Sequence, residues 1–225
     1  MTAISGISIN NTVYIGGDSV GIAGLSITVR DDPKVFVNGP FLIGIAGSYR
    51  MGNILRYKFK APKQKPNQTD MAYLVTDFVD CLRGYFMANG FGDKDGTIGG
   101  TFLLGYKGKL YSIDSDFQVG IPSLQYDAIG CGAELVLGSL HTTAKFNLDP
   151  QERIELSLEA ASTFNAGVQG PYVVLKQEYK ASEEKPTKVV KKSKSTSKLI
   201  KSKNKSNKEV EVTVEKSMNS KKKKR

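Results

Sequence analysis

Apolar residues occur in short runs along the chain, and turn-forming pairs punctuate them. Residues 3–9 and 12–17 are β-rich runs on either side of Asn10-Asn11, two residues that tolerate positive φ and suit a tight hairpin. The arrangement repeats in "KVFV", the turn Asn38-Gly39 and "FLIGIAG", the last of which reads as a strand buried on both faces. Residues 48–57 are expected to form a short helix, and "APKQKPNQ" a loop. Thr69 can cap a long helix over 70–89, whose apolar positions recur at helical spacing and which Gly90 would end. Strands near 98–106 and 109–114 flank the turn Lys107-Gly108, and a short strand is expected at 126–129. Helices follow at 133–143 and 151–165, and "PYVVLK" closes the pattern as a strand. Strands come in hairpins and helices in consecutive pairs, which predicts antiparallel sheets covered by helices rather than alternating βαβ units. The expected class is α+β.

Charge divides the chain in two. Residues 181–225 carry sixteen Lys or Arg against five Glu, net +11, which leaves sixteen basic and seventeen acidic residues in 1–180, net −1. The tail has no aromatic residue and few apolar ones, so it cannot bury enough surface to offset its ordering entropy and is expected to be disordered. It reads either as a solvated spacer or as a non-specific, salt-sensitive ligand for nucleic acid or another polyanion. No aromatics interleave with its lysines, so base stacking has no support. The remaining 1–180 is ample for one core and is taken as a single domain.

No apolar run reaches roughly twenty residues, and the amino terminus lacks the pattern of a secretory signal, so no membrane association is expected. The two cysteines, Cys81 and Cys131, make no disulfide framework and fit a reducing compartment, with the cytoplasm as the expected location. Cys81 falls inside a helix pattern and reads as core. Zinc-ligand spacing is absent and no cofactor is expected. His141 is the only histidine and sits near the end of a predicted helix, so the chemistry is sought without it.

The first hairpin supplies a candidate. If Asn10-Asn11 is a two-residue turn, residue 9 faces 12, and counting outward sets Ala3 opposite Asp18 and Thr2 opposite Ser19. Removal of Met1, which a small second residue permits, would give Thr2 both a hydroxyl and a free α-amine. Such an amine, with an ordinary pKa of about 7.7–8.0, is partly neutral near neutral pH and can serve as general base to its own hydroxyl. A cation nearby would lower that pKa further, and a carboxylate would hold the cation. Lys34 and Asp18 are the candidates.

Thr2, "GGDS" ending in Asp18 and Ser19, "PKVF" carrying Lys34, and "FLIGIAGS" resemble the amino-terminal half of proteasome β-type subunits and HslV-type peptidases, which are N-terminal-nucleophile hydrolases. The intervals from Thr2 to Asp18 and from Asp18 to Lys34, sixteen residues each, match that family's. The resemblance covers most of 2–176 and resurfaces in "DAIGCGAELVLGSL" and "EAASTFNAGVQGPYVV". It implies a four-layer αββα sandwich, with Thr2 as nucleophile, Asp18 and Lys34 tuning its amine, and the backbone N–H of Gly47 as oxyanion donor. It also implies a ring-like homo-oligomer acting on peptides or unfolded proteins, with an ATP-dependent unfoldase as a partner to consider. Two departures stand out. Where the family has serine in a "GSG" element, this chain has Cys131 in "GCG", a weaker donor. Where many proteasome subunits have aspartate and serine, it has Asn165 and Val168 or Gln169. The competing expectation is a weak or inactive structural or assembly protein of the same fold, with the basic tail as its working part.

Overall fold

The computed structural model describes residues 1–24, 26–92 and 97–180; the expected tail lies outside them. The chain opens with β1 (Ala3–Ile9) and β2 (Thr12–Asp18), then β3 (Val20–Ala23), β4 (Ser26–Val29), β5 (Val35–Asn38) and β6 (Phe41–Gly47). Helix α1 (Tyr49–Tyr57) follows, then α2 (Asp70–Tyr73), a π-helical turn (Leu74–Phe78) and α3 (Val79–Ala88). Next come β7 (Gly100–Tyr106), β8 (Lys109–Ile113), β9 (Val119–Gly120) and β10 (Tyr126–Gly130). Helices α4 (Ala133–Thr143) and α5 (Pro150–Phe164) precede the closing strand β11 (Tyr172–Glu178).

The strands form two main antiparallel sheets, ordered β10-β1-β2-β11 and β5-β6-β7-β8-β9. Between them lies a layer of Ile4, Val13, Ile15, Val35, Leu42, Leu103 and Leu110, nearly all from alternate strand positions. Outside the first sheet, Ile7 and Ala128 pack with Val136 and Leu140 of α4 and Ile154 and Leu158 of α5. Outside the second, Ile43, Ile45 and Phe102 pack with Met51 and Ile54 of α1 and Leu82 and Phe86 of α3. The architecture is therefore a four-layer αββα sandwich. Gly44 brings the sheets close: a Cβ there would lie 2.6 Å from Ile4 Cγ2 and 2.7 Å from Ile15 Cγ2.

Most elements lie where the sequence places them. Asn10 and Asn11 adopt φ of 49° and 58°, and the register runs from Ile9 opposite Thr12 to Ile4 opposite Gly17. Thr69 caps its helix by accepting from the Ala72 N–H, and Gly90 leaves it at φ 61°. Three features differ, the first being the two-residue strand β9, which no sequence signal announced. The expected continuous helix over 70–89 contains the π turn, within which Thr76 Oγ1 donates to the Ala72 carbonyl at 2.6 Å. The β3–β4 ribbon was not expected, because "VGIAGLSITV" offers no polar punctuation stronger than Gly24 and no alternation.

Candidate active site

Five chain positions meet at one end of the sandwich because strands end there. Thr2 precedes β1, Asp18 ends β2, Lys34 precedes β5, Gly47 ends β6 and Cys131 follows β10. The register of the first hairpin sets Asp18 beside the start of β1, where its Oδ1 accepts from the Ala3 N–H at 3.0 Å. The backbone of Gln169, which the chain delivers just ahead of β11, also works to hold the Asp18 pKa down.

Lys34 reaches the same carboxylate from the second sheet. Its Nζ donates to Asp18 Oδ2 at 2.8 Å, to the Val20 carbonyl at 2.7 Å and to the Met1 carbonyl at 3.3 Å, which satisfies all three ammonium protons. The side chains are 3% and 0% exposed, so this is a buried ion pair. Burial draws each partner toward its neutral form: it lowers the Lys34 pKa and raises that of Asp18, each against the attraction of the other. A buried pair of this kind is poor as a stabilising device, since desolvation offsets much of the attraction. Perturbed charges held in a cleft are a common mark of a functional site.

Thr2 is 5% exposed. Its N–H donates to Cys131 Sγ at 3.3 Å, and its Oγ1 donates to the Met1 carbonyl at 2.5 Å, the same oxygen that Lys34 approaches. Met1 lies over the group, half exposed, with its terminal nitrogen 3.4 Å from the Ile22 carbonyl. Its side chain fits because Gly167 has none; a Cβ there would stand 2.6 Å from Met1 Sδ and 2.8 Å from Cys131 Sγ.

Gly47 faces Thr2 across a cleft of about 290 Å³. Its φ is 109°, a region that side chains rarely adopt, and a Cβ would lie 2.6 Å from both the Gly100 Cα and the Gly99 carbonyl oxygen. Cys131 is anchored from behind. Asn165, which ends α5, donates through Nδ2 to the Cys131 carbonyl at 2.7 Å and accepts at Oδ1 from the Gly167 N–H at 2.8 Å.

All five sequence-derived residues are thus gathered, and Asn165 joins them as a positioning group. His141 is exposed in the last turn of α4, with Nδ1 2.9 Å from the Tyr126 hydroxyl. Cys81 packs at the edge of the helix-side core. The contacts missed by sequence reading are mainly backbone ones, from Ala3, Val20 and Gln169, because any residue type can supply them. Thr101 and Ser115, which line the cleft, also lacked a signal. Among the described residues no group of three or more His, Cys, Asp or Glu is placed to hold a metal ion. No helix among them is long and apolar enough to cross a membrane.

No protein-family model matches the chain, and no curated protein does. Solved structures do. Thiobacillus denitrificans BPH in complex with epoxomicin superimposes with a TM-score of 0.68 at 19% identity, covering 80% of this chain and all (100%) of that one. The same BPH described without the complex gives 0.67 at 19% identity over 80% of this chain and 100% of its own. Eukaryotic HslV from Trypanosoma brucei gives 0.59 at 18% identity, covering 79% of this chain and 100% of that one. At such identities the likeness establishes the fold, that of proteasome-type peptidases.

Proposed function

We propose that the chain is a threonine-type peptidase whose nucleophile is Thr2, exposed by removal of Met1. The observation that carries this reading is the buried Lys34–Asp18 pair directly beneath Thr2, with Lys34 Nζ 3.3 Å from the carbonyl that precedes it. Once Met1 is gone, the Thr2 nitrogen is an amine rather than an amide. The Lys34 charge disfavours its protonated form, so it stays available as a base near neutral pH.

The reaction then balances as follows. The amine takes the Oγ1 proton while Oγ1 bonds to the substrate carbonyl carbon, and the resulting oxyanion is met by the backbone N–H of Gly47. The C–N bond breaks, the ammonium returns its proton to the departing nitrogen, and an ester to Thr2 remains. Water, deprotonated by the same amine, attacks that ester, releases the acid and restores the hydroxyl. Asp18 acts by positioning Lys34. Cys131, 3.3 Å from the Thr2 nitrogen, orients the amine where a hydroxyl would do so more strongly.

In this reading the substrate is a peptide or an unfolded protein, and the chain works as a ring-like homo-oligomer fed by an ATP-dependent unfoldase. Exposure of Ile27 and Val29 on β4, 53% and 71%, supports association. The test of the chemistry is labelling with an electrophile selective for amino-terminal threonine, followed by peptide mapping. The expected adduct is on Thr2 with Met1 absent, and Thr2→Ala should abolish both adduct and hydrolysis. Retained Met1 in the mature protein, or full activity in Thr2→Ala, overturns the reading.

A further inference from the structure

The cleft beside Thr2 has two unlike halves, and the strand orders define them. On one flank of β1 lies β2 with Asp18, and on the corresponding flank of β6 lies β5, preceded by Lys34. This half is filled by the ion pair and its backbone acceptors. On the other flank β10 leads into Cys131, opposite β7 with Gly100. This half is open. Its lining includes Gly47, Gly100, Thr101, Ser115, Gly130 and Cys131, and none of the lining residues is Asp, Glu, Lys or Arg.

The chemistry assigns the open half a task. The Thr2 amine must return its proton to the departing nitrogen, so that nitrogen passes within hydrogen-bond reach of it. The Thr2 nitrogen faces Cys131, at 3.3 Å from Sγ, whereas Lys34 lies toward the Met1 carbonyl that Oγ1 also touches. The departing segment therefore leaves over the Cys131 half. We infer that the cleft formed by Gly100, Thr101, Ser115, Gly130 and Cys131 binds the residue on the amine side of the scissile bond and selects small, uncharged side chains there. This rests on the peptidase reading above and refines it.

Size and polarity both point that way. Two of the walls, Gly100 and Gly130, are glycines held bare: a Cβ on Gly100 would meet the Ala46 carbonyl oxygen at 2.4 Å, and one on Gly130 would meet that of Thr2 at 2.2 Å. The cleft measures about 290 Å³ with Met1 still among its lining residues. A charged side chain entering it would lose water without gaining an opposite charge. Among the described residues the Thr101 and Ser115 side chains bond to no other group, so both hydroxyls remain available to a small polar side chain or to substrate backbone.

The experiment is digestion of a defined peptide library by the full chain, with mass-spectrometric reading of the residue on each side of every cut. Gly, Ala and Ser should be enriched on the amine side over Lys, Arg, Asp and Glu by about tenfold or more. Ser115→Asp should then raise cutting before Lys relative to Ala by a similar factor, with Thr2 labelling retained as proof of an intact site. Amine-side frequencies equal to those of the library, or an unchanged Lys-to-Ala ratio in labelled Ser115→Asp, overturn the subsite while leaving the peptidase intact. Failure of the unsubstituted chain both to cut and to be labelled overturns the peptidase reading and this one with it.

Discussion

At the scale of residues, the site concentrates desolvation in the Lys34–Asp18 pair. Lys34→Met leaves the Asp18 carboxyl buried without its cation, which costs about 3–5 kcal/mol at neutral pH. Because burial raises the Asp18 pKa, that cost falls in acid, where the folded variant holds the proton that neutralises it. Urea denaturation at acid and neutral pH should therefore show the smaller deficit in acid. On the proposed mechanism, kcat/KM of the unsubstituted chain should rise with pH as the Thr2 amine loses its proton and fall as Lys34 loses its own. Burial lowers Lys34 from its ordinary 10.5, so the alkaline limb should lie below that value. For Cys131→Ser, steady-state hydrolysis should rise by about tenfold, since a hydroxyl is the better hydrogen-bond partner for the amine. A fall would show that the thiol is the adapted group.

Elements matter here for where they stop. The site exists because β1 and β5 begin, and β2, β6 and β10 end, at one level, and their registers are set by tight turns and by close approach of the sheets. Gly44→Val tests the second device at a distance from the chemistry. Its added atoms meet Ile4 and Ile15 at about van der Waals overlap, so unfolding should become easier by about 1–3 kcal/mol. Thermal or urea unfolding reads that loss, and an unchanged midpoint would mean that the sheets separate without cost. The hairpin register was legible because Asn10-Asn11 is a strong local signal. The β3–β4 ribbon and the π turn were not, since each depends on what the neighbouring segments leave uncovered rather than on local pattern.

For the whole molecule, the separation of charge is the main property to test. The net −1 of residues 1–180 and the +11 of 181–225 predict that deleting the latter abolishes any retention of the chain on DNA or RNA at low salt. Hydrolysis of a small peptide should stay within about twofold, because the proposed chemistry uses no residue beyond Gln169. Retention that survives the deletion, or hydrolysis that does not, would overturn this division of labour.

The pattern of residues alone gave the period of most elements and the register of the first hairpin, because each follows from the nearest residues. It also placed Thr2, Asp18, Lys34, Gly47 and Cys131 in a recognisable relation. The pairing of Lys34 with Asp18 is an expectation of the sequence, but its near-complete burial between the two sheets is a matter of tertiary structure. Tertiary structure alone decided which carbonyls share the Lys34 charge, and which half of the cleft stays open. The physical reason is that local preference acts over a few residues, whereas desolvation and close approach depend on which distant surfaces meet.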